Sequence, residues 1–157
     1  MTTTRITTLI ATLAAAAGLA GCASSGPTGS EILTGSIKPD AARLVIYRTS
    51  PLGMAIQPDY MVNGQKVGIS TPNGFVVCDM APGKADVAVA NATFNVNLFG
   101  GSDKAAPQLT PGKTTYLSAT PQMGLTIGII TLTEVTEAQG RADTASLHKI
   151  ESTCGKV

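Results

Sequence analysis

Short runs of β-branched and aliphatic residues, each cut by a Gly- or Pro-based turn, leave this chain little room for anything but short strands. The clearest case is Tyr60-Met61-Val62, then Asn63-Gly64, then residues 65–68. Asn-Gly accepts positive φ at both central positions of a two-residue loop, which predicts a type I′ hairpin. Between Arg43 and Arg48 the residues Leu44-Val45-Ile46-Tyr47 are apolar toward both faces, as a central strand requires. Gly74-Phe75-Val76-Val77-Cys78 reads as another strand, closed by Pro82-Gly83 as a type II turn pair. Residues 84–90 resume as a strand, and 94–98 alternate apolar residues with asparagines, so one face is expected to be wet. Gly100-Gly101-Ser102-Asp103 is a loop, and Pro111-Gly112 turns into a strand over 114–119. The last strand covers 125–135, where a shift of apolar phase at Ile129 and Ile130, beside Gly128, predicts a β-bulge. Thr136 then caps a short helix running from Glu137 towards Ile150, weakened by Gly140. The expected fold is all-β, a single antiparallel β-sandwich of about seven short strands with a short C-terminal helix.

The first residues follow a different grammar. Arg5 lies in a polar stretch, and an apolar run from Leu9 to Ala20 follows, ending in Leu19-Ala20-Gly21-Cys22. The run suits a signal-peptide core and is too short for a bilayer span, which takes about 20 apolar residues. The ending resembles the lipobox of bacterial lipoproteins: a branched apolar residue, two small ones, then cysteine. Small side chains admit the signal peptidase, and the thiol accepts diacylglycerol. In that family the cysteine carries the lipid thioether and its freed amine is acylated. The resemblance implies a signal peptide over 1–21 and an anchor at Cys22, with palmitate-type acylation. Residues 22–41, rich in Ser, Gly, Thr and Pro, are then a flexible tether, with Ile32, Leu33 and Ile37 able to dock. Residues 42–157 form the folded domain and its tail. Two or three lipid chains anchor stably where one does not.

Cleavage would remove Arg5 and leave ten basic against ten acidic side chains, so no basic patch points to nucleic acid. Six aromatic residues and no tryptophan leave few rings for a stacking platform. Export places the other two cysteines, Cys78 and Cys154, in an oxidising compartment, where an even pair predicts a disulfide. The alternative is a buried thiol at Cys78 and a free one at Cys154. No metal-binding spacing surrounds either cysteine.

The search for chemistry yields bland readings. His148 is the only histidine, and Asp143 and Ser146 lie near it in sequence. Ser146 and His148, two apart, face different directions on a helix, and no Gly-x-Ser-x-Gly elbow occurs. Asp59, Asp79, Asp86 and Asp103 are scattered, with Asp79 expected in a turn, and no pair is spaced for acid–base work. Residues 100–104 lack phosphate-loop spacing. Asn91-Ala92-Thr93 fits a glycosylation sequon that a bacterial lipoprotein bypasses. No catalytic residue, metal or cofactor is expected.

The pattern resembles a family of small, uncharacterised lipoproteins of Gram-negative bacteria, carrying a domain of unknown function. The matching features are Leu44-Val45-Ile46-Tyr47-Arg48, Asn63-Gly64 with Val67-Gly68, Gly74-Phe75, Pro82-Gly83 and Gly112-Lys113-Thr114-Thr115-Tyr116-Leu117. They span about residues 42–150. The same strand-turn grammar recurs in PEGA-type and carboxypeptidase-regulatory-like domains. The resemblance implies a non-enzymatic envelope lipoprotein with a structural or protein-binding role, held to the membrane through Cys22. A periplasmic peptide-binding or inhibitor module, docking along a sheet edge, is the alternative; an enzyme with an unfamiliar site is a second. Ala23, where enteric lipoproteins retained at the inner membrane have aspartate, implies the outer membrane, facing the periplasm.

Overall fold

Strand β1, Ala42–Arg48, is buried at all seven positions, as a strand with neighbours on both sides and both faces must be. It occupies the centre of a five-stranded sheet in the computed structural model, which describes residues 25–90, 103–122 and 129–154. The other strands of the chain are β2 (Asp59–Val62), β3 (Gln65–Ile69), β4 (Gly74–Met80), β5 (Gly83–Lys84), β6 (Val87–Val89), β7 (Lys104–Ala105), β8 (Gln108–Leu109), β9 (Thr114–Gln122), β10 (Ile129–Val135) and β11 (His148–Lys149). Two helices, α1 (Gly29–Ile32) and α2 (Glu137–Thr144), complete the described elements. The chain is mostly β, with eleven strands among the described residues, four of them only two residues long.

The five-stranded sheet has the order β10-β9-β1-β4-β11, and it corrects the expectation of purely antiparallel pairing. β1 runs antiparallel to β4 but parallel to β9, and β11 runs parallel to β4. The intervening strands β5–β8, which belong to other sheets, allow β9 to return beside β1 in the same direction, a crossover that no tight turn makes. Alternation sorts the side chains into two cores. Leu44, Ile46, Val76, Cys78, Leu117, Ala119, Ile130 and Leu132 pack with Tyr60, Val62, Val67, Val87 and Val89 of the second sheet. Val45, Tyr47, Phe75 and Tyr116 point the other way and pack with Leu33 and Leu147.

The second sheet, β3-β2-β6-β7, is antiparallel throughout. Its first hairpin is turned by Asn63 at φ +50 and Gly64 at φ +79, as the Asn-Gly pair dictates. A register shift falls between Tyr60 and Met61. The bulge expected at Ile129 and Ile130 does not occur there: β10 pairs with β9 without interruption from Ile129 to Val135. The two isoleucines point to opposite faces and both are buried. The single strand expected over 84–90 is divided. Its start pairs with β8 in a two-stranded ribbon, while β6 joins the second sheet. At Pro82 the chain bends, with Gly83 at φ +129, wider than the roughly +80° of a type II turn. At Pro111-Gly112 the turn is closed by Lys113 N–H donating to Thr110, with Gly112 at φ +69. The strand expected over 94–98, the loop over 100–102 and Gly128 lie outside the described residues.

Residues 26–33 correct the expectation of a flexible tether over 22–41. Thr28 bridges His148, the Gly29 N–H donates to Leu147 and that of Ser30 to Ala145, and Leu33 is buried in the second core. The Glu31 carboxylate accepts from the Thr28 N–H at 2.6 Å and its hydroxyl at 2.7 Å, closing the first turn of α1. These bonds hold the Glu31 carboxyl below its ordinary pKa. α2 starts where expected, the Thr136 hydroxyl accepting from Gln139 N–H, but it ends at Thr144 and does not run on towards Ile150: His148 and Lys149 pair with β4 as β11 instead.

Candidate functional site: a clamped apolar loop and a bridged tail

Residues 19–22, where a cleavage motif and a lipidated cysteine are expected, lie outside the described residues. The chain is described from residue 25, and its start is held at the edge of the five-stranded sheet. His148 Nδ1 donates to the Gly26 carbonyl at 2.7 Å, and Lys149 N–H donates to Pro27. This is what the only histidine does. Asp143 faces elsewhere, accepting from the Tyr47 hydroxyl at 2.6 Å and from Gln139 at 2.6 Å. His148 and Asp143 are therefore engaged on different partners rather than with each other.

The other candidate carboxylates are likewise apart. Asp79 is in β4, not in the turn expected of it, and takes a two-pronged bond from Arg43, Nε to Oδ1 at 2.7 Å and Nη2 to Oδ2 at 2.8 Å. That pairing raises the Arg43 pKa. Asp59 pairs with Lys66 across β2 and β3 at 2.7 Å on the surface. The Asp86 N–H bonds the Asn63 side chain and steadies the hairpin turn. Among the described residues no three His, Cys, Asp or Glu side chains gather as metal ligands.

A disulfide joins Cys78 to Cys154, with Cα atoms 5.1 Å apart, inside the span such a bond tolerates. The tail it holds crosses from one sheet to the other. Ile150 N–H donates to Phe75 beside β11, and Thr153 N–H donates to Val67 on the outer edge of β3. A groove of about 870 Å³ runs beside this crossing, between β3 and the segment starting at Gly26. Thr28 on β11 and Thr153 on β3 thus cover two sheet edges along which an added strand would dock.

The feature that sequence reasoning missed is the loop between β1 and β2. Arg48 is fully buried at the end of β1 and faces no carboxylate. Its guanidinium donates instead to five carbonyls: Ser50 at 3.1 Å, Ile56 at 2.9 Å, Ser70 at 2.8 Å, Gly53 at 3.1 Å, and Leu52. Five N–H donors in a rigid fork suit that role, which an ammonium cannot fill. Burial lowers its pKa from the ordinary arginine value. Above the clamp, Leu52, Met54 and Ile56 are the exposed large apolar side chains of the described residues, at 45%, 61% and 37%. The available signal was an arginine ending an apolar strand, followed by Thr49-Ser50-Pro51-Leu52-Gly53-Met54-Ala55-Ile56-Gln57-Pro58 without a charge.

No helix among the described residues is long and apolar enough to cross a membrane. In comparisons with known proteins, no family model, no curated protein and no solved structure matches the chain.

Proposed function

We propose that this chain is a non-enzymatic lipoprotein of the bacterial cell envelope, anchored through lipid on Cys22 and acting structurally or by binding an envelope protein. The observation that carries the reading is Leu19-Ala20-Gly21-Cys22 behind an apolar run, four residues ahead of Gly26, where the docked segment begins. The bridge between Cys78 and Cys154 suits an exported domain, since such bonds persist in oxidising compartments. The two sheets sharing one apolar core support a sandwich, with the helices as an added layer on the mixed sheet. The resemblance to uncharacterised Gram-negative lipoproteins, and Ala23 after the cysteine, favour the outer membrane facing the periplasm. His148, Asp143 and Asp79 are each engaged in bonds that hold elements together, which supports a role other than catalysis. The test is Cys22→Ser. The variant is expected to accumulate as an uncleaved precursor that carries no labelled palmitate. Normal processing and labelling of that variant would exclude the anchor.

A further inference from the structure

We propose that the bridge between Cys78 and Cys154 is a redox latch: exchange with a dithiol releases residues 151–154 from β3 and uncovers that strand's outer edge, while both sheets stay folded. The inference does not depend on the anchor. It starts from what the bridge ties. Cys78 is in β4, which is held to β1 by seven consecutive pairs. Cys154 lies beyond β11, which already pairs with β4 through His148 and Lys149. The bridge therefore fixes no strand to its neighbour. What it holds is the tail.

The tail has little else to hold it. Ile150 N–H donates to Phe75 at 2.8 Å, continuing the pairing of β11. Past that residue, among the described residues, the hydrogen bonds from the tail to the sheets both come from Thr153. Its N–H donates to the Val67 carbonyl at 3.1 Å and its hydroxyl to the Lys66 carbonyl at 2.5 Å. Thr153 is exposed, so water replaces both bonds at small net cost. The tail backbone also lies over Gly68, where a Cβ would stand 3.4 Å from the Glu151 carbonyl oxygen. A segment with few buried contacts and exposed backbone bonds opens by itself, without the rest of the fold. With the bridge closed, Cys154 is tied against the first core and the edge of β3 stays covered.

Access decides which sulfur reacts, because exchange needs a thiolate to reach one sulfur of the bridge. Cys78 is buried at 2% exposure, whereas Cys154 is half-buried beside the exposed Thr153. Ser152 and Thr153 also wall the groove beside β3, which opens that side of the tail to an incoming group. A thiolate of the dithiol attacks Cys154 Sγ and forms a mixed disulfide there, and the Cys78 sulfur leaves and takes a proton. The second thiol of the dithiol then attacks its own partner sulfur and expels the Cys154 thiolate, which takes a proton in turn. Two electrons and two protons thus pass to the bridge, and the dithiol becomes a disulfide. Release bares the Lys66 and Val67 carbonyls, groups of the kind an open edge strand offers to another chain.

The experiment is hydrogen exchange on the full-length protein, read residue by residue before and after dithiothreitol under native conditions. Alkylation and intact mass follow the reduction, which adds two reactive thiols to those of the oxidised protein. The expected result is complete reduction without denaturant, with the Thr153 amide exchanging several-fold faster while the amides of Ile150 and β1 keep their protection. A bridge that dithiothreitol opens only in denaturant overturns the access argument, and the latch with it. Unchanged exchange at Thr153 after full reduction means that its two bonds alone hold the tail, which equally overturns the latch. Exchange rising together at Thr153, Ile150 and β1 makes the bridge a support of the whole fold and refutes selective release. Cys154→Ser in the full chain is expected to reproduce the reduced pattern with no reductant present. Protection of Thr153 in that variant equal to that in the oxidised protein would contradict the proposal.

Discussion

Arg48 shows how one residue can be read in two opposite ways. At the end of an apolar strand it looks like the point where β1 meets solvent, yet it is fully buried and serves as the hub of a loop. Removing the guanidinium strands the Ser70 carbonyl, and an unsatisfied buried acceptor costs about 1–3 kcal/mol. Arg48→Met is therefore expected to lower stability by about that amount and to open residues 50–57 to protease, with Arg48→Lys giving little rescue. Limited proteolysis mapped by mass spectrometry checks this, and an intact loop in Arg48→Met would refute the clamp. The three tyrosines are the other residues whose chemistry burial sets. Burial pushes the Tyr60 phenol up to about 12, with its hydroxyl donating to Ser70 at 2.9 Å, and raises those of Tyr47 and Tyr116 as well. A folded pKa above the unfolded value favours the neutral phenol. Stability from Tyr60 is thus whole below about pH 10 and is lost as pH rises toward 12, roughly 3 kcal/mol over that window. Because these are the only tyrosines and there is no tryptophan, tyrosinate absorbance reads them directly. It is expected to appear together with loss of circular dichroism, and ionisation near pH 10 with the fold intact would contradict their burial.

At the scale of elements, α2 is positioned by an absence. A Cβ on Gly140 would stand 2.2 Å from the Tyr116 ring carbon Cγ, so the helix lies directly on that ring. Gly140→Ala would raise helix propensity by about 1 kcal/mol, but overpacking against a buried ring costs about 1–3 kcal/mol or more. A net loss of stability on thermal unfolding is expected, and a gain would mean that α2 does not rest there. Sequence reasoning saw Gly140 only as a weak point of the helix, since a close approach is invisible until the partner ring is placed. Local chemistry was legible where it acts over a few residues. The Asn63-Gly64 turn, the Thr136 cap and the two-faced burial of β1 all rest on neighbours in sequence. Longer-range features were not: the parallel pairing of β1 with β9, the division of residues 83–89 between two sheets, and the fork from Arg43 to Asp79. Ile129 and Ile130 misled because consecutive apolar residues signal either a bulge or a strand buried on both faces.

For the whole molecule, the docked N-terminal segment and the bridged tail meet at one edge of the mixed sheet. His148 holds Gly26, while Cys154 is tied to Cys78 and Thr153 to β3. A chain pulled from its N-terminus thus loads β11 first, beside the tail that clasps both sheets. The candidate site was legible only in part: the cysteines stand out in sequence, whereas the clamped loop depends on which carbonyls fold back over Arg48. The most direct test of the anchored-lipoprotein reading is the intact mass of the protein extracted from its own envelope, before and after reduction. A chain starting at Cys22, heavier by a diacylglycerol and an acyl group and gaining two hydrogens on reduction, is the predicted result. An unmodified chain that retains residues 1–21 would contradict it.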